Sequence, residues 1–206
     1  MTILMTTTNP PRTKAAAIAE IIGASGDTPI VFTTGYACRI ANGIQDRPGH
    51  FYMVGSMGLA GCVAVGVATG LSRPVIVVDG DGALAMNPGA LLLAAEFAAL
   101  PLIHIVLDDG AYSSTGAQPT PPVGDIESWA ASLGYRVLAP PAAGGVGPVV
   151  AGLLAGEFSQ PHLMRLAVAP DGQHVPSRIE GSLAGHAARF RAHCRGLRAR
   201  SEPLVG

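Results

Sequence analysis

Two apolar runs rich in β-branched residues, Val75 to Val78 and Ile103 to Leu107, each stop at acidic residues beside a glycine, with a helix-forming stretch between them. The first reads VIVVDGDGALAMN over residues 75–87: a strand, a tight Gly80-Asp81-Gly82 turn, then Asn87-Pro88, a capping residue followed by proline, opening an Ala/Leu-rich helix. The second reads IHIVLDDGAYSSTG over residues 103–116 and ends its strand at Asp108, Asp109 and Gly110. Strand, helix, strand in that order calls for a crossover, and a crossover makes the two strands parallel. Parallel neighbours end at the same edge of a sheet, so acidic oxygens about 25 residues apart in the chain are brought side by side. Carboxylates beside glycines, which let backbone N–H groups approach, suit a divalent cation and a diphosphate together. One Asp-Gly pair after a strand is an ordinary turn; the joint spacing after two strands carries the information.

The rest of the chain alternates in the same way. Helices are expected over 13–23, 36–44, 59–71, 125–133 and 147–156, and strands over 30–33, 51–54, 135–138 and 162–168. This predicts an α/β fold, one parallel sheet with helices on both faces. With 206 residues, 49% of them hydrophobic, a single domain can bury its own core. We expect a disordered segment over 1–12, the domain over 13–178 and a helical tail over 179–206, with a surface Pro/Gly/Ala linker at 139–147. The tail carries Arg189, Arg191, Arg195, Arg198 and Arg200, and reads as a solvated helix packing on a partner. A net charge of −1 gives no footprint for nucleic acid or an anionic membrane. No apolar run approaches the ~20 residues of a membrane span, and the first residues lack the order of a signal peptide. Three cysteines, Cys38, Cys62 and Cys194, show no metal spacing and fit a reducing cytoplasm, with Cys62 expected in the core.

The two motif halves resemble the thiamine diphosphate motif, Gly-Asp-Gly followed by roughly 25 residues and an Asn or Asn-Asn pair. Longer stretches, DRPGHFYMVGSMGLAG (46–61), LDDGAYSSTGAQPT (107–120) and VAPDGQHVP (168–176), are similar to the β subunit of sulfopyruvate decarboxylase and the matching half of phosphonopyruvate decarboxylase. The resemblance implies a single diphosphate-type thiamine diphosphate-binding domain. It implies Mg²⁺ held by the side chains of Asp81 and Asp109 and the carbonyl of Ala111. The family prefers Asn where this chain has Asp109, and the second carboxylate makes the metal site more negative beside an anionic diphosphate. Binding is expected to survive, because Mg²⁺ accepts carboxylate oxygens readily.

Further residues follow with the same motifs. Gly55-Ser56-Met57-Gly58 lies between a strand and a helix, with N–H groups placed for an anion. By resemblance Met57 supports the bent cofactor from beneath; simple core packing is the other reading. Thr33, Thr34 and Gly35, at the end of the first strand, are expected at the aminopyrimidine or the substrate. Gly80, Gly82 and Ala83 would present their backbone to the diphosphate, and Tyr112 belongs to the same cofactor set. For the acidic group of a substrate, Arg39, His50, Ser113, Ser114, Thr115 and Gln118 offer cationic or hydroxyl donors, with residues 113–118 as a flap. Arg39 read as a solvated helix residue, and His50 as an ordinary strand-edge histidine, are equally open. His104 reads as a satisfied core residue, and His162, His174, His186 and His193 show no ligand spacing.

The resemblance implies a lyase: decarboxylation of a small 2-oxo acid, phosphonopyruvate or sulfopyruvate, to an aldehyde and CO₂. In this superfamily a glutamate on another domain type activates the aminopyrimidine. Glu20 and Glu96 stand in structural contexts, so a complementary aminopyrimidine-binding subunit is expected to supply that residue in a hetero-oligomer. Two other readings stay open: a carboligase subunit like that of acetolactate synthase, and a catalytically degenerate scaffold subunit.

Overall fold

Unbroken apolar runs fit strands buried on both faces. The computed structural model describes residues 12–141, 145–170 and 176–200. In chain order its main elements are α1 (Lys14–Ala24), β1 (Ile30–Phe32), α2 (Tyr36–Ile44), β2 (His50–Tyr52), α3 (Ala60–Leu71), β3 (Val75–Gly80), α4 (Asp81–Met86) and α5 (Gly89–Ala95). There follow β4 (Leu102–Asp108), a small hairpin of β5 (Ala111–Tyr112) and β6 (Gln118–Pro119), α6 (Ile126–Ser132), β7 (Arg136–Leu138), α7 (Gly147–Leu154), β8 (His162–Ala167) and α8 (Leu183–Ala199). Six strands form one parallel sheet in the order β2-β1-β3-β4-β8-β7.

Side chains alternate across this sheet. Ile30, Phe32, Ile76, Val78, Ile103 and Ile105 enter one apolar cluster with α1, α2 and α7. Val31, Val75, Val77, Leu102 and Val106 enter the other, with α3, α5 and α6. The chain steps one way from β1 to β2 through α2, and back the other way from β2 to β3 through α3. Opposite steps with crossovers of one hand require helices on opposite faces, which is the arrangement found. The reversal lies between β1 and β3, and there the carboxyl ends of the strands open a crevice.

Some local expectations are corrected. Gly80-Asp81-Gly82 is not a separate turn: β3 runs through Gly80 and α4 begins at Asp81. Asn87 does not cap the following helix; Pro88 precedes α5, and the Asn87 amide donates to the Gly58 carbonyl at 3.0 Å. Gly58 allows this approach because its φ is +91° and a side chain there would strike Asn87 and the Ala83 carbonyl. The expected flap is a hairpin, β5 with β6, joined through a 3-10 turn at Ser113–Thr115. Cys62 is half-buried rather than core, its sulfur accepting from Asn87.

The tail helix α8 docks one face on its own domain, burying Phe190 and Leu197, and leaves most of its other residues exposed. Phe190 packs edge-on against Phe51 with ring centres 5.2 Å apart, and both outer nitrogens of Arg189 donate to Asp46. Residues 1–11, 142–144, 171–175 and 201–206, which include most of the N-terminal segment, part of the linker, the centre of VAPDGQHVP and His174, lie outside the described residues. Among the described residues, no helix is long and apolar enough to cross a membrane.

Candidate functional site

Three strand ends feed one cleft: Thr33 to Ala37 after β1, Asp79 to Ala83 around the end of β3, and Leu107, Asp109 and Ala111 to Ser114 around and after the end of β4. Met57, from the loop between β2 and α3, and Lys14, the first residue of α1, complete the lining. Asp81, Asp109 and Ala111 thus come together as parallel strands require.

Asp81 opens α4 and is 3% exposed. Burial raises its pKa, as do the neighbouring carboxylates of Asp108 and Asp109, while a hydrogen bond from the Thr120 hydroxyl at 2.5 Å and the Gly82 N–H act the other way. The ionised form is therefore held at a cost that a cation would relieve. Asp109 is engaged differently: its Oδ2 accepts from the Lys14 ammonium at 2.7 Å and from the Ser113 hydroxyl at 3.0 Å. The second negative charge read from the sequence has a cation beside it. Two further acids are paired nearby, Asp108 with Arg165 and Asp79 with His104.

The hairpin is fastened onto α4. Tyr112 donates to the Gly82 carbonyl at 3.2 Å, and a side chain on Gly82 would collide with the Tyr112 ring and the Thr120 methyl. On the other side, Thr34 accepts from the Gly55 N–H at 3.0 Å. Gly55, Ser56 and Gly58 have φ of +87°, +51° and +91°. For Ser56 that conformation costs energy, and it shapes the loop that delivers Met57 to the cleft. The Thr33 hydroxyl is buried and has no hydrogen-bond partner among the described residues. A buried carboxylate with no cation among the described residues, a second carboxylate beside it, a buried hydroxyl and small residues at the floor form a donor set that fits a metal-bound diphosphate.

Of the candidates for substrate binding, Ser113 and Ser114 line the cleft. Arg39 lies over the Tyr36 ring, 5.7 Å from its centre, and Thr115 and Gln118 are exposed and hydrogen-bonded to each other at 2.8 Å; none of the three lines the cleft. His50 is corrected. It pairs with Ile30 at the start of β2, so it sits at the amino edge of the sheet, opposite the cleft. There it is 1% exposed, against Tyr52 and Phe32, and burial lowers its pKa to about 4. Glu20 is also structural: its carboxylate accepts from the N–H groups of Val146 and Gly147 at the start of α7. Lys14, Tyr36, Asp79 and Thr120 were not anticipated. Their only sequence signal was that Lys14 is the sole lysine of the chain.

Comparison with known proteins points the same way. A model of the thiamine pyrophosphate enzyme C-terminal TPP binding domain matches residues 31–133. Phosphonopyruvate decarboxylase of Streptomyces viridochromogenes is 38% identical over 183 residues, covering 87% of this chain and 46% of that protein. Sulfopyruvate decarboxylase subunit beta of Methanothermobacter thermautotrophicus is 40% identical over 123 residues, covering 59% of this chain and 66% of that one. The chain thus spans less than half of the first relative and about two thirds of the second. Among solved structures, a thiamine diphosphate-dependent 4-hydroxybenzoylformate decarboxylase of Rhodococcus jostii RHA1 shares the fold, with a TM-score of 0.66 at 22% identity over 80% of this chain and 34% of that one.

Proposed function

The chain belongs to the thiamine pyrophosphate enzymes, whose C-terminal TPP-binding domain it carries, and we propose that it is the diphosphate-binding subunit of a two-subunit, Mg²⁺-dependent 2-oxo acid decarboxylase. The observation that carries this reading is Asp81, a buried carboxylate with a hydroxyl donor and, among the described residues, no cation, in the cleft that also holds Asp109 and Ala111. Phosphonopyruvate or sulfopyruvate is the proposed substrate, supported by the names of the relatives.

In this reading Asp81, Asp109 and the Ala111 carbonyl hold Mg²⁺, and Gly82 and Ala83 turn backbone N–H groups to the diphosphate. Thr34 and Gly35 would border the aminopyrimidine, and the buried Thr33 hydroxyl would be available to it as a partner. Met57, which lines the cleft, would pack against the bound cofactor, and Tyr112 ties the hairpin to α4. Ser113 and Ser114 offer hydroxyl donors to the acidic group of the substrate. When bound, thiamine diphosphate supplies the electron sink that a departing carboxylate needs. No glutamate lines the cleft among the described residues, and Glu20 is occupied at α7. The proposed partner is therefore a complementary aminopyrimidine-binding subunit that brings the activating glutamate. The relative named as a beta subunit supports a divided enzyme.

The test is CO₂ release by the chain mixed with its complementary subunit, Mg²⁺ and thiamine diphosphate, supplied in turn with phosphonopyruvate, sulfopyruvate and pyruvate. Release from one of the first two, with the aldehyde as product, is expected. Formation of a ligated ketol from pyruvate alone would replace this reading with that of a carboligase.

A further inference from the structure

Of the thirteen Lys and Arg residues in this chain one is a lysine, and it is buried in the cleft. Lys14 lies 2.7 Å from Asp109, their side chains 8% and 2% exposed. Burying an ion pair this completely costs desolvation that the attraction only partly returns, so it is weak evidence of a stability role. Its position is informative instead. The residues leading into α1 are clipped to the end of β8, where the Ala169 N–H donates to the Arg12 carbonyl at 2.8 Å and Thr13 bridges Ala169. That clip delivers the first residue of α1 to the carboxyl edge of the sheet.

The charges at this edge are partitioned. Arg165 bridges Asp108 and Glu127, and Lys14 sits on Asp109, while Asp81 has the Thr120 hydroxyl and the Gly82 N–H as donors and no cation among the described residues. Both bonds to Asp109 fall on Oδ2, so Oδ1 carries neither of them. Resting on the cofactor reading above, we propose that Lys14 is a positioning residue of the diphosphate site: its ammonium offsets the charge of Asp109 and fixes that carboxylate by one oxygen, so that the other serves the metal. The Asp109 oxygen left to the metal then acts more as an amide oxygen would, its charge offset beside the anionic diphosphate. A compact ammonium fits this space, whereas a guanidinium would spread its donors over neighbouring acids.

A double-mutant cycle on the full chain tests this, using Lys14→Met, which keeps the apolar stem, Asp109→Asn, and both together. At excess Mg²⁺, Lys14→Met is expected to raise the thiamine diphosphate dissociation constant about tenfold, and the double variant to return it to within about threefold of wild type. Thermal unfolding without cofactor should show the same rescue: each single variant lowers the midpoint, and the double recovers most of the loss. An unchanged affinity in Lys14→Met, or a loss that persists in the double variant, overturns the role of Lys14 while leaving the cofactor reading in place. Failure of the wild-type chain, with its complementary subunit present, to bind thiamine diphosphate with Mg²⁺ at all overturns the cofactor reading and this role with it.

Discussion

The hydroxyl of Tyr112 donates to the carbonyl of Gly82, and its ring occupies the space a side chain at residue 82 would need. The hairpin that follows β4 is thereby seated on the first turn of α4, and the Thr120 hydroxyl on Asp81 makes a second tie between them. Gly82→Ala should lift the hairpin. Overpacking of this kind costs about 1–3 kcal/mol, and it should weaken cofactor binding beyond that loss because the ligands on α4 and after β4 no longer share a register. Urea unfolding and cofactor titration of the variant check this; wild-type affinity would show that the hairpin's seating is irrelevant to the site.

Asp81→Asn keeps an acceptor for Thr120 but removes a charge that burial disfavours. The cofactor-free variant should melt no lower than wild type, and higher if relief of the charge dominates. Metal-dependent binding of thiamine diphosphate should fall by on the order of a hundredfold, since an outer ligand alone is worth about ten- to a hundredfold. Stability and binding would thus move in opposite directions. A variant that loses both has unfolded the site, and one that keeps binding displaces Asp81 from the metal.

How much of this was legible in the sequence depends on range. The strands around Val75–Gly80 and Leu102–Asp108 were readable because β-branched runs and the residues that end them are local signals. Asp81 and Asp109 followed from the parallel geometry that a crossover imposes. Lys14 was not readable, since its place depends on the clip between Arg12 and Ala169, residues far apart in the chain. His50 could have been placed by the same rule: a residue at the start of a strand in a parallel sheet lies at the amino edge, away from a site built on the carboxyl ends. Asn87 has the composition of a cap, yet a glycine at positive φ in a distant loop offered its amide a better acceptor.

Glu20→Ala tests the assignment of that carboxylate to structure. Losing the acceptor for two N–H groups at the start of α7 should cost about 1–2 kcal/mol, the range for a helix cap. Cofactor affinity should not change. Collapse of activity with stability intact would make Glu20 a participant in the chemistry and remove the need for a glutamate from elsewhere.

His50 gives the fold a pH dependence. Its pKa falls from 6.5 to about 4, chiefly because burial disfavours the charged ring, with Arg47 adding to the effect. Between those values the unfolded chain binds the proton and the folded chain does not. Stability from this residue is therefore complete above about pH 6.5 and declines as pH falls towards about 4, by about 3 kcal/mol. His50→Phe preserves the ring contacts with Phe32 and removes the proton site. Unfolding free energies across this range should decline less in the variant; parallel profiles would show that His50 is not the titrating group.

The central claim is that this chain holds the diphosphate half of a divided site. Calorimetric titration of thiamine diphosphate with Mg²⁺ into the full chain, alone and then with the complementary subunit, with CO₂ release followed in the same samples, tests it most directly. The account predicts weak binding and no turnover for the chain alone, and tight binding with turnover once the second subunit is present. Equally tight binding in both cases, or turnover by the chain alone, would contradict it.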